Sequence, residues 1–227
     1  MAFRVAVIIP ALNEAESLPL VFRDLPSTVQ CVVVDNGSTD NTGEVAMTLG
    51  ATVVREEQRG YGSAVLAGIR YLHNAPPDVV VILDADNADR ADLIHFLVGP
   101  IRAGHYDFVL SDRTMHAEEG SLSFSQKHGN RLACALIRWA TGAAYKDMGP
   151  FRAISWIALS QLEMSDPTWG WNVEMQMKAA HHKLRWKEVP MPYRNRAAGK
   201  SKISGDLKGV VKTGSRILWA VNHYRKP

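Results

Sequence analysis

Short apolar runs that alternate with amphipathic stretches fill the first half of this 227-residue chain and limit the folds open to it. Strands that alternate with helices form βαβ units around a mostly parallel sheet. We therefore predict an α/β protein with a Rossmann-like central sheet flanked by helices. The predicted strands are residues 5–9, 31–35, 52–55, 79–84 and 108–111, and the predicted helices are residues 14–25, 39–49, 62–73 and 91–103.

The second half predicts longer helices and a basic end. Helices are predicted at residues 125–141, 155–162, 172–182 and 207–223, a strand at 184–189 and a polar loop at 193–205. Because no repeat or linker divides the chain, we predict one domain, residues 1–205, with a basic amphipathic helix, residues 206–227, packed on it or extending from it. Residues 183–227 carry twelve Lys or Arg against two acids, which predicts a surface for anions.

Composition excludes several classes of protein. Hydrophobic residues make up 46% and charged residues 22% of the chain, which favours a folded protein over a disordered one. Cys31 and Cys134 show no pairing pattern, so reduced thiols and a cytoplasmic setting are predicted. No run of about 18 apolar residues predicts a membrane-spanning helix, and the first residues lack the pattern of a secretory signal.

Two carboxylates follow the most apolar of the predicted strands. The run at residues 79–83 leads directly into Asp84-Ala85-Asp86, and residues two apart at the end of a strand point to the same side. Ligands of open α/β sheets collect at this end of the strands, and two neighbouring carboxylates repel unless a cation or a proton lies between them. The motif predicts a magnesium-bound phosphate ligand, and the alternative is a solvated pair of acids.

A second candidate for phosphate binding lies at the start of the third predicted helix. Gly60-Tyr61-Gly62 resembles the beginning of a dinucleotide-binding fingerprint, but Val65 replaces its third glycine and the turn does not follow the first strand. The segment is therefore interpreted as a mobile lid or a phosphate-facing loop.

Three loops together are similar to those of glycosyltransferase family 2, the inverting enzymes of GT-A fold that use nucleotide-activated sugars. The loops are residues 10–14, residues 34–40 and Asp84-Ala85-Asp86. The resemblance implies that the first two loops hold the base and ribose, and that Asp84 and Asp86 bind Mg²⁺ or Mn²⁺ on the diphosphate, with Asp86 the more direct ligand. The nucleotide-sugar-binding residues implied in this way are Pro10, Leu12, Asn13, Glu14, Asp35, Asn36, Gly60, Gly62, Asp84, Ala85 and Asp86.

A basic loop narrows the resemblance to one branch of the family. The segment from Arg196 to Lys202 is similar to the R-x-x-G-x-S-K loop of dolichyl-phosphate mannosyltransferases and polyprenyl-phosphate glycosyltransferases, and Arg113 follows the fifth strand as in that branch. The resemblance implies an acceptor phosphate bound by Arg113, Arg196, Ser201 and Lys202 on an acceptor-side extension. Asn36 stands where the family often has Asp, so the base, uridine or guanosine, stays open. The membrane helices of many branch members are not encoded.

The chemistry at the acceptor depends on what the acceptor is. The candidate catalytic residues are Asp86, Arg113, Asp147 and Glu174. A hydroxyl acceptor needs a general base, for which Glu174 and Asp147 are the candidates, whereas a phosphate is already an anionic nucleophile. The alternative for Glu174 is stabilisation of a helix N-terminus.

The sequence is therefore interpreted as an inverting, metal-dependent glycosyltransferase that moves a hexose from a UDP or GDP sugar to a polyprenyl phosphate. Cytoplasmic location, peripheral contact with the inner face of the membrane and a homo-oligomer are compatible with it, and nucleic acid is not an expected partner. One alternative keeps the donor but uses a soluble hydroxyl acceptor. Another alternative is a D-x-D phosphatase. It is disfavoured because the phosphatase motif lies on the first strand and is not followed by Asn, whereas here the motif follows the fourth predicted strand and Asn87 comes next.

Overall fold

The computed structural model describes residues 2–197 and 207–225, with side chains of the last helix described from residue 214 onward. The strands are β1 (Val5–Ala11), β2 (Gln30–Asp35), β3 (Thr52–Arg55), β4 (Val79–Ile82), β5 (Phe108–Asp112), β6 (Arg152–Ser155) and β7 (Trp186–Pro190). The α-helices are α1 (Leu18–Asp24), α2 (Thr42–Thr48), α3 (Tyr61–Leu72), α4 (Ile94–Arg102), α5 (Phe124–Thr141), α6 (Trp156–Leu162), α7 (Trp171–His181) and α8 (Leu207–His223).

The strands form one sheet in the order β3-β2-β1-β4-β6-β5-β7. Only β6 among them is antiparallel to its neighbours, β4 and β5, so the prediction of a mostly parallel sheet is confirmed. The sequence analysis did not predict β6. It has four residues and begins with Arg152, so neither an apolar run nor an alternating pattern marks it.

The central strands are buried on both faces, which explains why they are almost continuously apolar. One face of β1 and β4 packs under α3 and α5 to α8, through residues such as Ile8 and Val80. The other face packs under α1, α2 and α4, through residues such as Ile9 and Val81. The carboxyl ends of β1, β2 and β4 consequently open at one edge of a rigid, two-sided core.

Two strand ends differ from the predictions. β1 continues through Pro10. Its pairing with β4 ends at Ile8 and Ile82, so no hydrogen bond to β4 is lost because Pro10 lacks an N–H. β4 ends at Ile82, so Asp84 lies beyond the strand rather than at its last position. The two acids are thus presented by a turn that follows the strand.

Helix α8 packs against α5 and α7, on the same side of the sheet as α3. The predicted boundary between residues 205 and 206 falls outside the described residues, and the division of the chain stays a prediction. Within the described ranges, no helix has the length and apolar character needed to cross a bilayer.

Candidate active site

The loops that follow β1 and β2 are joined by the side chain of Asn13. Asn13 has a φ of +53°, its backbone N–H donates to Ser38 Oγ at 3.0 Å, and its Oδ1 accepts from the Thr39 N–H at 2.7 Å. In the second loop, Asp35 Oδ1 accepts from the Ser38 N–H at 2.9 Å. Asp35 also lines a pocket of about 330 Å³ together with Arg55 and loop residues that follow β2. The structure therefore brings the two predicted nucleotide loops together, with Pro10 inside β1 and Leu12 just after it.

Asn36 fixes the loop between β3 and α3. Its Nδ2 donates to the carbonyls of Glu56 at 3.0 Å and Gln58 at 2.8 Å, and its Oδ1 accepts from the Gly60 N–H at 2.8 Å. The side chain is nearly buried, at 6% exposure. An aspartate could not make the two donor contacts, so the amide explains why this chain has Asn where the resemblance leads one to expect Asp.

We expect Asn36→Asp to lower the free energy of unfolding by about 1–3 kcal/mol, because a carboxylate would face two carbonyl oxygens without donating to either. Urea denaturation measures the loss. The matched control is Asn41→Asp, an exposed N-cap of α2 whose side chain makes no capping bond, which should be neutral or slightly stabilising. Equal stability of both variants would contradict this role of Asn36.

Gly60 and Gly62 serve close backbone packing. The N–H groups of Gly62 and Ser63 at the start of α3 donate to the carbonyls of Thr168 and Pro167, at 3.2 and 2.9 Å. A Cβ on Gly62 would lie 1.9 Å from the Asp166 carbonyl oxygen. These N–H groups are therefore engaged by the loop before α7, and the interpretation of this segment as a mobile lid or phosphate-facing loop is corrected.

The carboxylate pair lies under the guanidinium of Arg196. Asp86 is 4% exposed; its Oδ1 accepts from the Ala88 N–H at 3.0 Å, and its Oδ2 lies 2.8 Å from Arg196 Nη1. Arg196 Nη2 donates to Glu14 Oε1 at 2.7 Å. Arg196 thus connects the loop after β7 with the loops after β1 and β4, and the structure brings these three predicted residues together.

Asp84 is partly exposed beside this group. Burial, followed by the charge of Asp86, raises the pKa of Asp84 to about 7, against the opposing charges of Arg113 and Arg196. Asp89, which sequence reasoning missed, is a third carboxyl here. Burial and the charges of Asp84 and Asp86 raise the pKa of Asp89 well above its usual range, with Arg113 opposing them. This edge of the sheet concentrates negative charge that a cation would relieve.

A divalent cation fits this group only with help from a ligand. Within residues 2–197 and 207–225, no group of three His, Cys, Asp or Glu side chains is placed to hold a metal. Asp84 and Asp86 each supply hard oxygen donors, and Asp86 Oδ2 is paired with Arg196 Nη1. Three buried polar atoms of this region have no hydrogen-bond partner among the described residues: Asn87 Oδ1, Asp89 Oδ2 and Arg196 Nε. The donor set suits Mg²⁺ or Mn²⁺ completed by phosphate oxygens.

Arg113 is held by Asp147 at the end of β5. Arg113 Nε and Nη2 donate to the two carboxylate oxygens of Asp147 at 2.7 and 2.8 Å, and the Arg113 N–H adds a bond of 2.9 Å. The guanidinium also lies 4.9 Å from the centre of the Tyr193 ring, a second site residue that the sequence analysis missed. Such bidentate pairing fixes the orientation of the Arg113 guanidinium.

The carboxylates of both predicted bases are bound by other groups of the protein. Burial acts to raise the pKa of Asp147, but the charge and hydrogen bonds of Arg113 outweigh it and hold that pKa below its usual range. The Glu174 carboxylate is fully buried and binds the Ser165 and Asp166 N–H groups and Lys178 Nζ, each within 2.9 Å. Glu174 lies in the first turn of α7, which fits the alternative of a role at the helix N-terminus.

Arg152 is a buried cation beneath the site. It is 0% exposed, and its guanidinium donates to the carbonyls of Gly149 and Met148, which follow Asp147. Burial lowers the pKa of Arg152 to about 10. Its position on the unpredicted strand β6 is why sequence reasoning missed it; an Arg in an otherwise apolar segment, Phe151 to Ile154, was the available signal.

Arg113 lines a large groove. Its volume is about 1070 Å³, and it runs between α5, the segment after β5, and α8. Its walls combine apolar side chains with cations: Leu122, Phe124, Leu132, Trp169 and Ile217 with Arg113, Lys127, Arg131 and Lys146. Ser201 and Lys202, the other predicted acceptor-phosphate residues, lie outside the described residues.

The fold and the site together define a GT-A glycosyltransferase. The family model "Glycosyl transferase family 2" matches residues 6–153. The chain is 35% identical over 211 residues to an uncharacterised glycosyltransferase of Mycobacterium tuberculosis. The matched region covers 91% of this chain and 93% of the relative. This chain belongs to glycosyltransferase family 2 and is a glycosyltransferase, as the resemblance of its loops predicted.

Two further comparisons bear on the substrates. An undecaprenyl-phosphate mannosyltransferase of Micrococcus luteus is 29% identical over 238 residues, with 95% of this chain and 96% of that protein covered. A crystal structure of glucosyl-3-phosphoglycerate synthase from Mycobacterium tuberculosis with Mn²⁺, UDP-glucose and phosphoglyceric acid has a TM-score of 0.78 at 23% identity, covering 99% of this chain and 80% of that chain. The likeness to this second protein shows a common fold.

Proposed function

We propose that this enzyme transfers a hexose from a nucleotide-diphosphate sugar to a polyprenyl phosphate, with inversion at the anomeric carbon. The observation that carries the proposal is the placement of Arg113, a cation that is fixed by Asp147 and lines a large groove together with apolar side chains. A polyprenyl phosphate has this combination of an anionic head and an apolar chain. The relative in Micrococcus luteus, named as an undecaprenyl-phosphate mannosyltransferase, supports the same acceptor class.

The state of the candidate bases supports a phosphate rather than a hydroxyl acceptor. Asp147 and Glu174 have their carboxylates occupied by Arg113 and by the loop before α7. A phosphate oxygen attacks without losing a proton, so the work of the protein is to position it and to balance its charge. In this proposal Arg113 and Arg196 perform both tasks, together with Ser201 and Lys202.

On the donor side, we assign the nucleotide to the loops of Asn13, Asp35 and Asn36 and the diphosphate to the edge carrying Asp84 and Asp86. These two carboxylates would hold Mg²⁺ or Mn²⁺, which when bound supplies positive charge for the departing diphosphate. The Mn²⁺ and UDP-glucose bound in the structural neighbour support this choice. We place the enzyme in the cytoplasm, at the inner face of the membrane.

The test is a transfer assay with the purified protein, UDP-glucose or GDP-mannose, and Mg²⁺ or Mn²⁺. We expect label to pass to undecaprenyl phosphate in detergent, with no transfer to 3-phosphoglycerate, and loss of transfer when EDTA is added. Proton NMR of the product reports inversion. Transfer to 3-phosphoglycerate alone would contradict the proposal of a lipid acceptor but agree with the proposed sugar donor. Release of nucleoside diphosphate that does not depend on any acceptor would contradict the whole proposed reaction.

A further inference from the structure

We propose that the exposed side of α5 binds the surface of an anionic lipid bilayer, and that this contact brings the acceptor groove to its substrate. The inference extends the proposed function, because a polyprenyl phosphate resides in a membrane. The α5 face is formed by Phe124, Lys127, Arg131, Leu132, Arg138 and Trp139.

The α5 face exposes large apolar side chains along one side of a helix. Phe124, Leu132 and Trp139 are 77%, 51% and 68% exposed, and their spacing of eight and seven residues places them on one side. On α8, which packs against α5, Leu218 and Trp219 are 52% and 43% exposed. The three exposed apolar side chains on one side of α5 are therefore a grouped surface feature rather than scattered exposed residues.

The charges on this face all have one sign. Residues 120–146 contain no Asp or Glu, whereas Lys127, Arg131 and Arg138 are exposed between the apolar residues. Arg225 adds its guanidinium 5.2 Å from the centre of the Trp139 ring. Aromatic and aliphatic residues interleaved with Lys and Arg are typical of helices that lie in the interface of a membrane containing anionic lipids.

The groove explains why the occupant is a bilayer and not an acidic protein. Phe124 and Leu132 belong both to the α5 face and to the wall of the groove that Arg113 lines. A lipid whose chain remains in the bilayer can therefore reach Arg113 with its phosphate while α5 rests on the surface. A bilayer brings the proposed acceptor to this face, which an acidic protein would not do.

Vesicle sedimentation tests the inference with the full chain. The vesicles contain phosphatidylcholine alone, or phosphatidylcholine with about one third phosphatidylglycerol. We expect binding to the anionic vesicles only, its loss at about 1 M salt, and about tenfold weaker binding for the double variant Arg138→Ser/Trp139→Ser. Neither residue lines the groove. The control is Ile157→Ser on α6, which removes an apolar side chain that is 73% exposed on another surface.

The outcomes separate this inference from the proposed function. The double variant should keep wild-type melting temperature and wild-type transfer to acceptor in detergent, and lose transfer to acceptor embedded in anionic vesicles. The membrane contact alone would be contradicted if the wild-type protein transferred sugar in detergent but did not bind anionic vesicles. It would also be contradicted if the double variant bound these vesicles as well as the wild type. A dimer that Trp139→Ser dissociates, with no vesicle binding, would assign the face to self-association instead. Vesicle binding without any sugar transfer would support the membrane contact and contradict the proposed polyprenyl phosphate acceptor.

Discussion

Asp84→Asn is expected to lower transferase activity by about two to three orders of magnitude without destabilising the protein in the absence of divalent cations. Asp84 is the partly exposed member of the carboxylate pair, whereas Asp86 is already bound by Arg196 and the Ala88 N–H. Under the proposed function, Asp84→Asn takes away a ligand for the cation, and it also relieves the repulsion between Asp84 and Asp86.

The same substitution should change the pH dependence of stability. The pKa of Asp84 is raised from 3.8 to about 7 by folding, so between these values the folded protein holds a proton that the unfolded chain has released. Stability therefore falls as pH rises through this window, and Asp84→Asn should remove this contribution. Binding of a cation requires the ionised carboxylate, so affinity for Mn²⁺ should rise with pH up to about 7.

Melting temperatures at pH 5 and pH 7.5 in EDTA, for wild type and Asp84→Asn, measure the first effect, and titration with Mn²⁺ and UDP measures the second. Glu119→Gln, which removes an exposed carboxylate in a loop, is the control for net charge. A variant that retains wild-type activity, or that melts well below wild type at pH 7.5 in EDTA, would contradict the role assigned to Asp84.

Arg113→Met is expected to cost about 3–5 kcal/mol of folding stability together with most of the activity. It leaves the Asp147 carboxylate buried, with a side chain only 2% exposed and its ion partner gone. The double variant Arg113→Met/Asp147→Leu should recover most of the stability, because replacing both members of a buried pair by apolar residues is often close to neutral. The double variant should not recover activity, because the Arg113 guanidinium in the groove is still missing.

A double-mutant cycle in urea denaturation, with Asp147→Leu as the second single variant, gives the coupling energy of the pair. Activity measured on the same four proteins separates the two roles of Arg113. If activity returned with stability in the double variant, Arg113 would be a structural residue and the acceptor phosphate would have to bind elsewhere.

Much of the fold was predictable because it is encoded in local patterns. The runs at β1, β2, β3, β4 and β5 could be recognised from their apolar and β-branched residues, and the loops after β1, β2 and β4 carried the family resemblance. β6 was not predictable, since it depends on pairing with β4 and β5 and leaves no periodic signal in four residues. Pairing across the sheet likewise explains why β1 continues through Pro10.

The contacts between predicted site residues could not be read from the sequence. Glu14, Asp86 and Arg196 were each predicted separately, but they are up to 182 residues apart and are brought together only by the fold. For Glu174 the sequence left two roles open, a base or a structural residue near a helix start. The hydrogen bonds from the loop before α7, which the sequence could not indicate, favour the structural role.

The last helix has a consequence for the nucleotide loops. Arg216 on α8 donates to Asp166 and Thr168 at 2.8 Å each. The neighbouring carbonyls of Pro167 and Thr168 accept the first N–H groups of α3, whose N-cap, Gly60, donates to Asn36. One unbroken series of contacts therefore runs from the end of the chain to the donor side of the cleft. α8 therefore both lines the groove and supports the loop that holds the start of α3, so under the proposed function the donor and acceptor sides would depend on the same helix.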